Sequence, residues 1–384
     1  MRFEFATATQ IVFGPGTLRE AGKLARPWGR RALVVMGGST SRAGALLKIL
    51  EEGDIVAATF SVSHEPSVGT VLDGLAAARA GGAEMVIGFG GGSVIDTAKA
   101  IAGLFTNPGV PLDYLEVVGA GKPLVHPALP WMAIPTTAGT GAEVTRNAVL
   151  AVPERKVKVS LRSPHLLARI ALVDPELTFD LPPAVTAATG MDALTQLLEA
   201  YVCNRANPMT DALCREGLPR AAKALPVAWR NAHDARAREE LSLAALWSGV
   251  ALANAGLGAV HGFAGPLGGM FSAPHGAVCA ALLAPVMAAN IAALQSRAPE
   301  HPALRRYAEI ACWLTDRRDA APEDGVRHIE ALAAELKIPG LSLVGLKEDC
   351  FVEIVAQAQQ ASSMKANPVV LTPLELTGVL AAAL

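Results

Sequence analysis

The sequence predicts an α/β half built on a doubly wound parallel sheet over residues 1–178, followed by an all-α helical half over residues 179–384. Three observations carry this expectation. β-branched runs alternate with helical stretches through the first half, a glycine turn sits directly between one such run and a helix, and strand patterning stops after Asp174-Pro175. A chain of 384 residues is also too long for one ordinary core, so two domains are expected.

Taken in order, Arg2–Phe13 reads as an edge strand or strand pair, Arg31–Met36 as a strand and Ser41–Glu52 as a helix. Ile55–Val62 is the next strand and Val68–Ala80 the next helix. Met85–Phe89 leads straight into Gly90-Gly91-Gly92-Ser93 and a helix over Val94–Leu104. Trp131–Pro135 is a further buried strand ending in a Thr/Gly loop, and Ile170–Val173 is the last. Leu181-Pro182-Pro183 then punctuates the chain, and the remainder reads as helix with short Gly, Pro and Asn breaks.

Composition narrows the function classes. A formal charge of −2 removes the usual electrostatic reason to expect a nucleic-acid partner. The five cysteines, Cys203, Cys214, Cys279, Cys312 and Cys350, are dispersed with no CxxC pair, which reads as free thiols in a reducing, cytoplasmic compartment. The opening MRFEFATATQ has no apolar stretch of the kind a signal peptide needs. From Leu241 to Ser296 there is no Asp, Glu, Lys or Arg, long enough for a membrane span, but Asn254, His261, Pro266, Pro274, His275, Pro285 and Asn290 interrupt it. Helices buried on most faces around something polar account for the stretch better than a bilayer does.

The glycine turn Gly90–Ser93 lets backbone pass close to a phosphate, with the first N–H groups of a helix aimed at it. It is neither GxGxxG nor a P-loop, and alone it serves equally as a plain βα turn. Met36-Gly37-Gly38-Ser39-Thr40 follows an earlier strand, where an adenosine ribose would lie in such a sheet. Pro135-Thr136-Thr137-Ala138-Gly139-Thr140-Gly141-Ala142-Glu143 follows a later one. Three such loops at the C-terminal ends of parallel strands point to a nucleotide.

In the helical half, Asp192 and Gln196 are four apart and share a face. His261 and His275 sit in the charge-free stretch, each followed by glycine. Two histidines there, with a carboxylate upstream, look like carboxylate–imidazole metal ligation.

These pieces together resemble the iron-containing (group III) alcohol dehydrogenases over essentially the whole chain. The matching segments run in that family's order: Val12–Gly16; Gly90–Ser93 with Asp96, Lys99 and Ala100; Ile134–Gly141; Val173–Pro175; Gly190–Thr195; His261; Pro274–Gly276; and Asn367-Pro368. The resemblance implies an N-terminal domain for NAD or NADP and a C-terminal domain for a catalytic divalent metal, Fe²⁺ or Zn²⁺. It places Gly91, Gly92 and Ser93 on the pyrophosphate, and Thr136, Thr137, Thr140 and Lys158 on the nicotinamide-side ribose and phosphates. Asp96 and Asn147 would lie by the nicotinamide and substrate, and Asp192, Gln196, His261 and His275 would form the metal set.

The chain departs from the family pattern in four places. Gln196 stands where a histidine is common, and a neutral amide oxygen is a weaker ligand than imidazole. Gly265 stands where many members carry a proton-relaying histidine; it enlarges a pocket whose expected walls are Leu252, Phe263 and Met270. Gly37 replaces the Asp of NAD-selective members, so a 2′-phosphate is permitted, with Gly38, Ser39 and Thr40 as donors. Ala142, often Ser, removes one donor.

The expected activity is metal-assisted hydride transfer between NAD(P)(H) and a small alcohol or aldehyde, in a homodimer with no nucleic-acid or membrane partner. The competing readings are a metal-free reductase of the maleylacetate type and a nucleotide-binding protein that has lost catalysis.

Overall fold

Apolar runs buried on both faces form the middle of the sheet in the computed structural model, which describes residues 2–384 other than Ser39, Lys156 and Ser272, with Thr40 described by its backbone. The chain divides into one unit over Ala6–Phe179 and another over Asp180–Leu384, the latter including the residues ahead of Ala6.

The first unit carries strands β1 (Gln10–Phe13), β2 (Arg31–Gly37), β3 (Val56–Val62), β4 (Met85–Gly90), β5 (Trp131–Pro135), β6 (Asn147–Val152), β7 (Val157–Arg162) and β8 (Ile170–Val173). Its helices are α1 (Ala21–Ala25), α2 (Thr40–Glu52), α3 (Val68–Ala80), α4 (Gly92–Phe105) and α5 (Pro111–Tyr114). Six strands make one parallel sheet in the order β1-β8-β5-β4-β2-β3. The central β4, β5 and β8 are buried at every position, whereas the edge strands β1 and β3 are largely exposed. That gradient is what helices on both faces of a parallel sheet impose.

The expected elements are present with small shifts of their ends. The N-terminal strand is confined to Gln10–Phe13, and α4 starts at Gly92, so Gly92 and Ser93 lie in its first turn. Sequence reading placed no strands between Pro135 and Ile170, yet β6 and β7 pair there as a separate antiparallel ribbon.

The second unit is helical: α6 (Pro183–Val202), α7 (Pro208–Arg230), α8 (Ala235–Asn254), α9 (Ala259–Phe271), α10 (His275–Arg297), α11 (Pro302–Thr315), α12 (Pro322–Glu335), α13 (Phe351–Gln360) and α14 (Pro373–Ala382). Pro183 starts α6 at the position where a missing N–H does no harm. Asn207 closes a capping box with Thr210 at the start of α7. From Gly190 to Val202 every residue of α6 is buried, which makes it the central helix of this unit. The charge-free stretch runs through α8, α9 and α10. By length and composition α10 could cross a bilayer, but 67 % of its apolar window is buried inside the protein, as in a core helix.

Candidate metal centre and nucleotide loops

Two close approaches of backbone shape the centre of the helical unit. A Cβ on Gly276 would lie 2.5 Å from the carbonyl oxygen of Ala188, so only glycine lets the start of α10 press against α6. That contact sets His275, the first residue of α10, beside Asp192. A Cβ on Gly258 would lie 2.7 Å from Glu199 Oε1 and 2.9 Å from Asn367 Oδ1. Those two acceptors instead reach the first N–H groups of α9: Val260 donates to Glu199 at 2.8 Å and Ala259 to Asn367 at 3.1 Å. Asn367 is itself fixed by reciprocal bonds with Asn290, at 3.2 and 2.7 Å. The helix that carries His261 is thus capped by two side chains distant in sequence.

His261 Nδ1 lies 2.6 Å from Glu199 Oε2. A carboxylate there keeps the proton on Nδ1 and leaves the Nε2 lone pair facing the opposite way. What Nε2 faces is Asp192 Oδ1 at 3.4 Å and Cys279 Sγ at 3.8 Å. His275 Nε2 lies 3.6 Å from the same Asp192 oxygen and 3.7 Å from Cys279 Sγ. One ligand atom from each of Asp192, His261, His275 and Cys279 falls within 4.8 Å of all the others. Asp192, Cys279 and the His261 side chain are buried, while the His275 side chain is 39 % exposed and marks the accessible side.

The electrostatics favour positive charge at this point, carried by protonated imidazole or by a bound cation. Burial alone would lower His261 and raise Asp192, but their neighbours override it: His261 is held well above the usual imidazole range and Asp192 below the usual carboxylate range. The Cys279 sulfur and Asp192 push His275 up to about 9, against the effect of burial. Asp192 Oδ1 is meanwhile a buried carboxylate oxygen with no well-aligned hydrogen-bond donor. An orphaned buried oxygen facing two imidazole nitrogens fits a divalent metal, which would satisfy it and relieve the negative field at once.

Gln196 departs from its expected role. Its amide donates to Asp192 Oδ2 at 3.1 Å, and its oxygen accepts from Ser248 at 2.7 Å. It steadies the carboxylate and turns its own oxygen toward α8. Phe263 departs as well: at 0 % exposure its ring packs in the core and faces no open space. Leu252 and Met270 are half-buried. Gly265 does face open space, since a Cβ there would meet no heavy atom within 4 Å. Glu199 and Cys279 were not anticipated as site residues.

In the sheet unit, Gly91 caps α4 without a side chain, so no capping side chain competes with an anion for the N–H groups of Gly92 and Ser93. Gly91 and Gly92 lie against Thr137 and Thr140: added Cβ atoms would sit 3.4 and 2.8 Å from those side chains. The Thr140 hydroxyl accepts from Ala142 N–H at 3.3 Å, and Thr136 N–H donates to Gly90 at 2.9 Å, so the two loops form one surface. Gly37, at the end of β2, has open space where a Cβ would go, and Gly38 is nearly as open. Ser39 and the Thr40 side chain, expected as donors, lie outside the described residues.

Asp96 is occupied structurally. Its Oδ2 accepts from Val149 N–H at 3.0 Å and its Oδ1 lies 3.4 Å from Lys99 Nζ. Lys99 is fully buried and donates to Ala142 O, Thr145 Oγ1 and Asn147 O at 2.7–2.8 Å. One ammonium group therefore ties α4 to the loop after β5 and to β6. The carbonyl of Asn147 is taken by this clamp, and Lys158 on β7 pairs with Glu65 at 3.5 Å.

Glu143 is buried within the same loop, and burial pushes its carboxyl up to about 7. A carboxyl raised on folding contributes stability that is complete below its unfolded value and lost as pH rises through the folded one. Glu143→Gln should accordingly gain on the order of 2 kcal/mol over the parent at pH 8 and nothing at pH 4. Thermal melts of both proteins across that range measure it, and an equal difference at both ends would rule the cause out.

The comparisons bear on this geometry directly. The family model "Iron-containing alcohol dehydrogenase" matches residues 8–175, and that of the family's C-terminal domain matches 186–384. The chain belongs to the iron-containing alcohol dehydrogenase family. It is 34 % identical over 374 residues to alcohol dehydrogenase 4 of Saccharomyces cerevisiae, covering 96 % of this chain and 95 % of that one. A crystal structure of 1,3-propanediol oxidoreductase superposes with TM-score 0.92 at 33 % identity, covering all of both chains. A sulfoacetaldehyde reductase from Bifidobacterium kashiwanohense, solved with NAD⁺, superposes with TM-score 0.88 at 27 % identity, covering 100 % of this chain and 99 % of that one. Membership makes this family member an oxidoreductase of the alcohol dehydrogenase class.

Proposed function

We propose that this iron-containing alcohol dehydrogenase family member interconverts small neutral alcohols and aldehydes with either NAD(H) or NADP(H), using a divalent metal held by Asp192, His261 and His275. The orphaned oxygen of Asp192, aimed at two imidazole nitrogens, carries the metal half of the reading. When bound, the metal supplies Lewis acidity toward a substrate oxygen, and the nicotinamide supplies or accepts the hydride.

The chain's own residues do the rest. Glu199 holds the proton on His261 Nδ1, so Nε2 is always the basic nitrogen. Gln196 fixes the rotamer of Asp192 through Oδ2 and leaves Oδ1 available. The first turn of α4 receives the pyrophosphate, and Thr136, Thr137 and Thr140 supply hydroxyls beside it. Lys99 holds Asn147 and the following ribbon, and with it Lys158, in register. With no side chain at Gly265, the substrate's proton leaves through water or a ribose hydroxyl. Gly37 presents neither a carboxylate nor a steric block to a 2′-phosphate, which supports the use of both cofactors. The reading includes a cytoplasmic homodimer.

The decisive assay is aldehyde reduction by NADH and by NADPH, before chelation, after it and after metal is restored. The expected result is turnover with both cofactors, loss of at least about 90 % on chelation and recovery with Zn²⁺ or Fe²⁺. Turnover unchanged in exhaustively stripped protein would instead favour the metal-free reductase. That alternative leaves Asp192 Oδ1 buried without a well-aligned donor.

A further inference from the structure

The fourth corner of the candidate metal centre is a sulfur. Cys279 stands one turn after His275 on α10, so both side chains project from one face of the helix. Its Sγ is buried and points at both imidazole Nε2 atoms, 3.8 Å from that of His261 and 3.7 Å from that of His275. Around a tetrahedral zinc with bonds of about 2.0–2.3 Å, neighbouring ligand atoms stand about 3.3–3.8 Å apart. Four of the six ligand–ligand separations, 3.4, 3.6, 3.7 and 3.8 Å, fall in that interval, and all six are within 4.8 Å. A cysteine that only filled space would pack among apolar neighbours; this one completes a polyhedron whose other corners are two nitrogens and an unpartnered carboxylate oxygen. Gln196, the other candidate, has its oxygen engaged by Ser248.

We infer that Cys279 is a metal ligand in this chain, giving an Asp–His–His–Cys centre that selects a thiophilic ion, zinc over manganese or magnesium. Thiolate is a soft donor, and soft donors discriminate against ions that favour all-oxygen shells. The exposed side of His275 is where a fifth ligand, the substrate oxygen, has access. The inference rests on the metal-assisted reading above and adds to it the identity of the fourth donor.

Cobalt titration under reducing conditions into chelator-stripped wild type and Cys279→Ser tests it. Wild type should show cobalt ligand-field bands together with a near-ultraviolet sulfur-to-cobalt charge-transfer band. Cys279→Ser should keep the ligand-field bands, lose the charge-transfer band, bind Zn²⁺ at least about tenfold more weakly and discriminate less between Zn²⁺ and Mn²⁺. Zinc absorption-edge fine structure of the wild type needs no variant: one sulfur scatterer at about 2.3 Å supports the ligand, and a shell of nitrogen and oxygen alone overturns it. Cobalt bound by wild type without the charge-transfer band overturns Cys279 ligation and leaves the metal reading standing. Failure of wild type to take up either ion overturns both.

Discussion

His261→Ala should lower alcohol turnover by about 10³-fold, equivalent to about 4 kcal/mol of transition-state stabilisation, while dinucleotide binding should stay within about twofold of the parent. The asymmetry follows from the partners of His261, which are Glu199, Asp192 and Cys279, none of them shared with the loops around Gly91 and Thr137. The variant should also hold less metal, because Asp192 Oδ1 and His275 lose their buried neighbour. Glu199→Gln should fall between the two, with a loss of about 10–100-fold, since imidazole remains but its tautomer is no longer enforced. Steady-state kinetics, fluorescence titration with NADH and metal content by mass spectrometry on the same preparations test these expectations. Near-normal turnover by His261→Ala with full metal would sink the assignment.

The second large effect is on stability. Lys99→Met should cost about 3–5 kcal/mol, because Asp96 is left buried without its cation. The carbonyls of Ala142 and Asn147 and the hydroxyl of Thr145 lose the ammonium in the same step, leaving the carbonyls only the longer bonds from Thr145. Burial raises Asp96 and lowers Lys99, each opposed by the other's charge, so removing Lys99 leaves only the Val149 N–H to oppose burial on Asp96. The ribbon of β6 and β7 should loosen with the clamp. Denaturant unfolding of the parent and of Lys99→Met gives the energy, and a change below about 1 kcal/mol would show that the network is dispensable.

Much of this was legible in the sequence, and the boundary of what was legible has physical causes. The strands β2, β4, β5 and β8 are continuous apolar runs, because helices cover the sheet on both sides. The ribbon was missed although Val157–Arg162 alternates in the manner of a half-buried strand, with Val159 and Leu161 inward and Lys158 and Ser160 less buried. His261 and His275 stood out because they lie in a stretch without Asp, Glu, Lys or Arg, and Asp192 because it supplies a carboxylate upstream. Glu199 had a signal too: residues 192, 196 and 199 follow helical spacing along one face of α6. Cys279 was readable as one turn from His275, but a dispersed cysteine without a CxxC partner draws no attention. The direction in which Gln196 points was not readable at all, because Ser248, which claims its oxygen, arrives on another helix. Phe263 failed for a similar reason, its burial being set by neighbours far along the chain.

The double cap on α9 fixes an order of assembly. Ala259 N–H is held by Asn367, 108 residues further along, and Asn367 is braced by Asn290. A nascent chain that has emerged only as far as His275 already contains both histidines and Asp192, yet lacks the side chain that seats the helix bearing His261. The sheet unit ends at Phe179 and is complete once β8 has paired with β1, so it can mature before the helical unit has emerged. One of the two caps on α9 waits for nearly the whole polypeptide, so a chain halted before Asn367 carries a complete sheet unit and a half-capped α9.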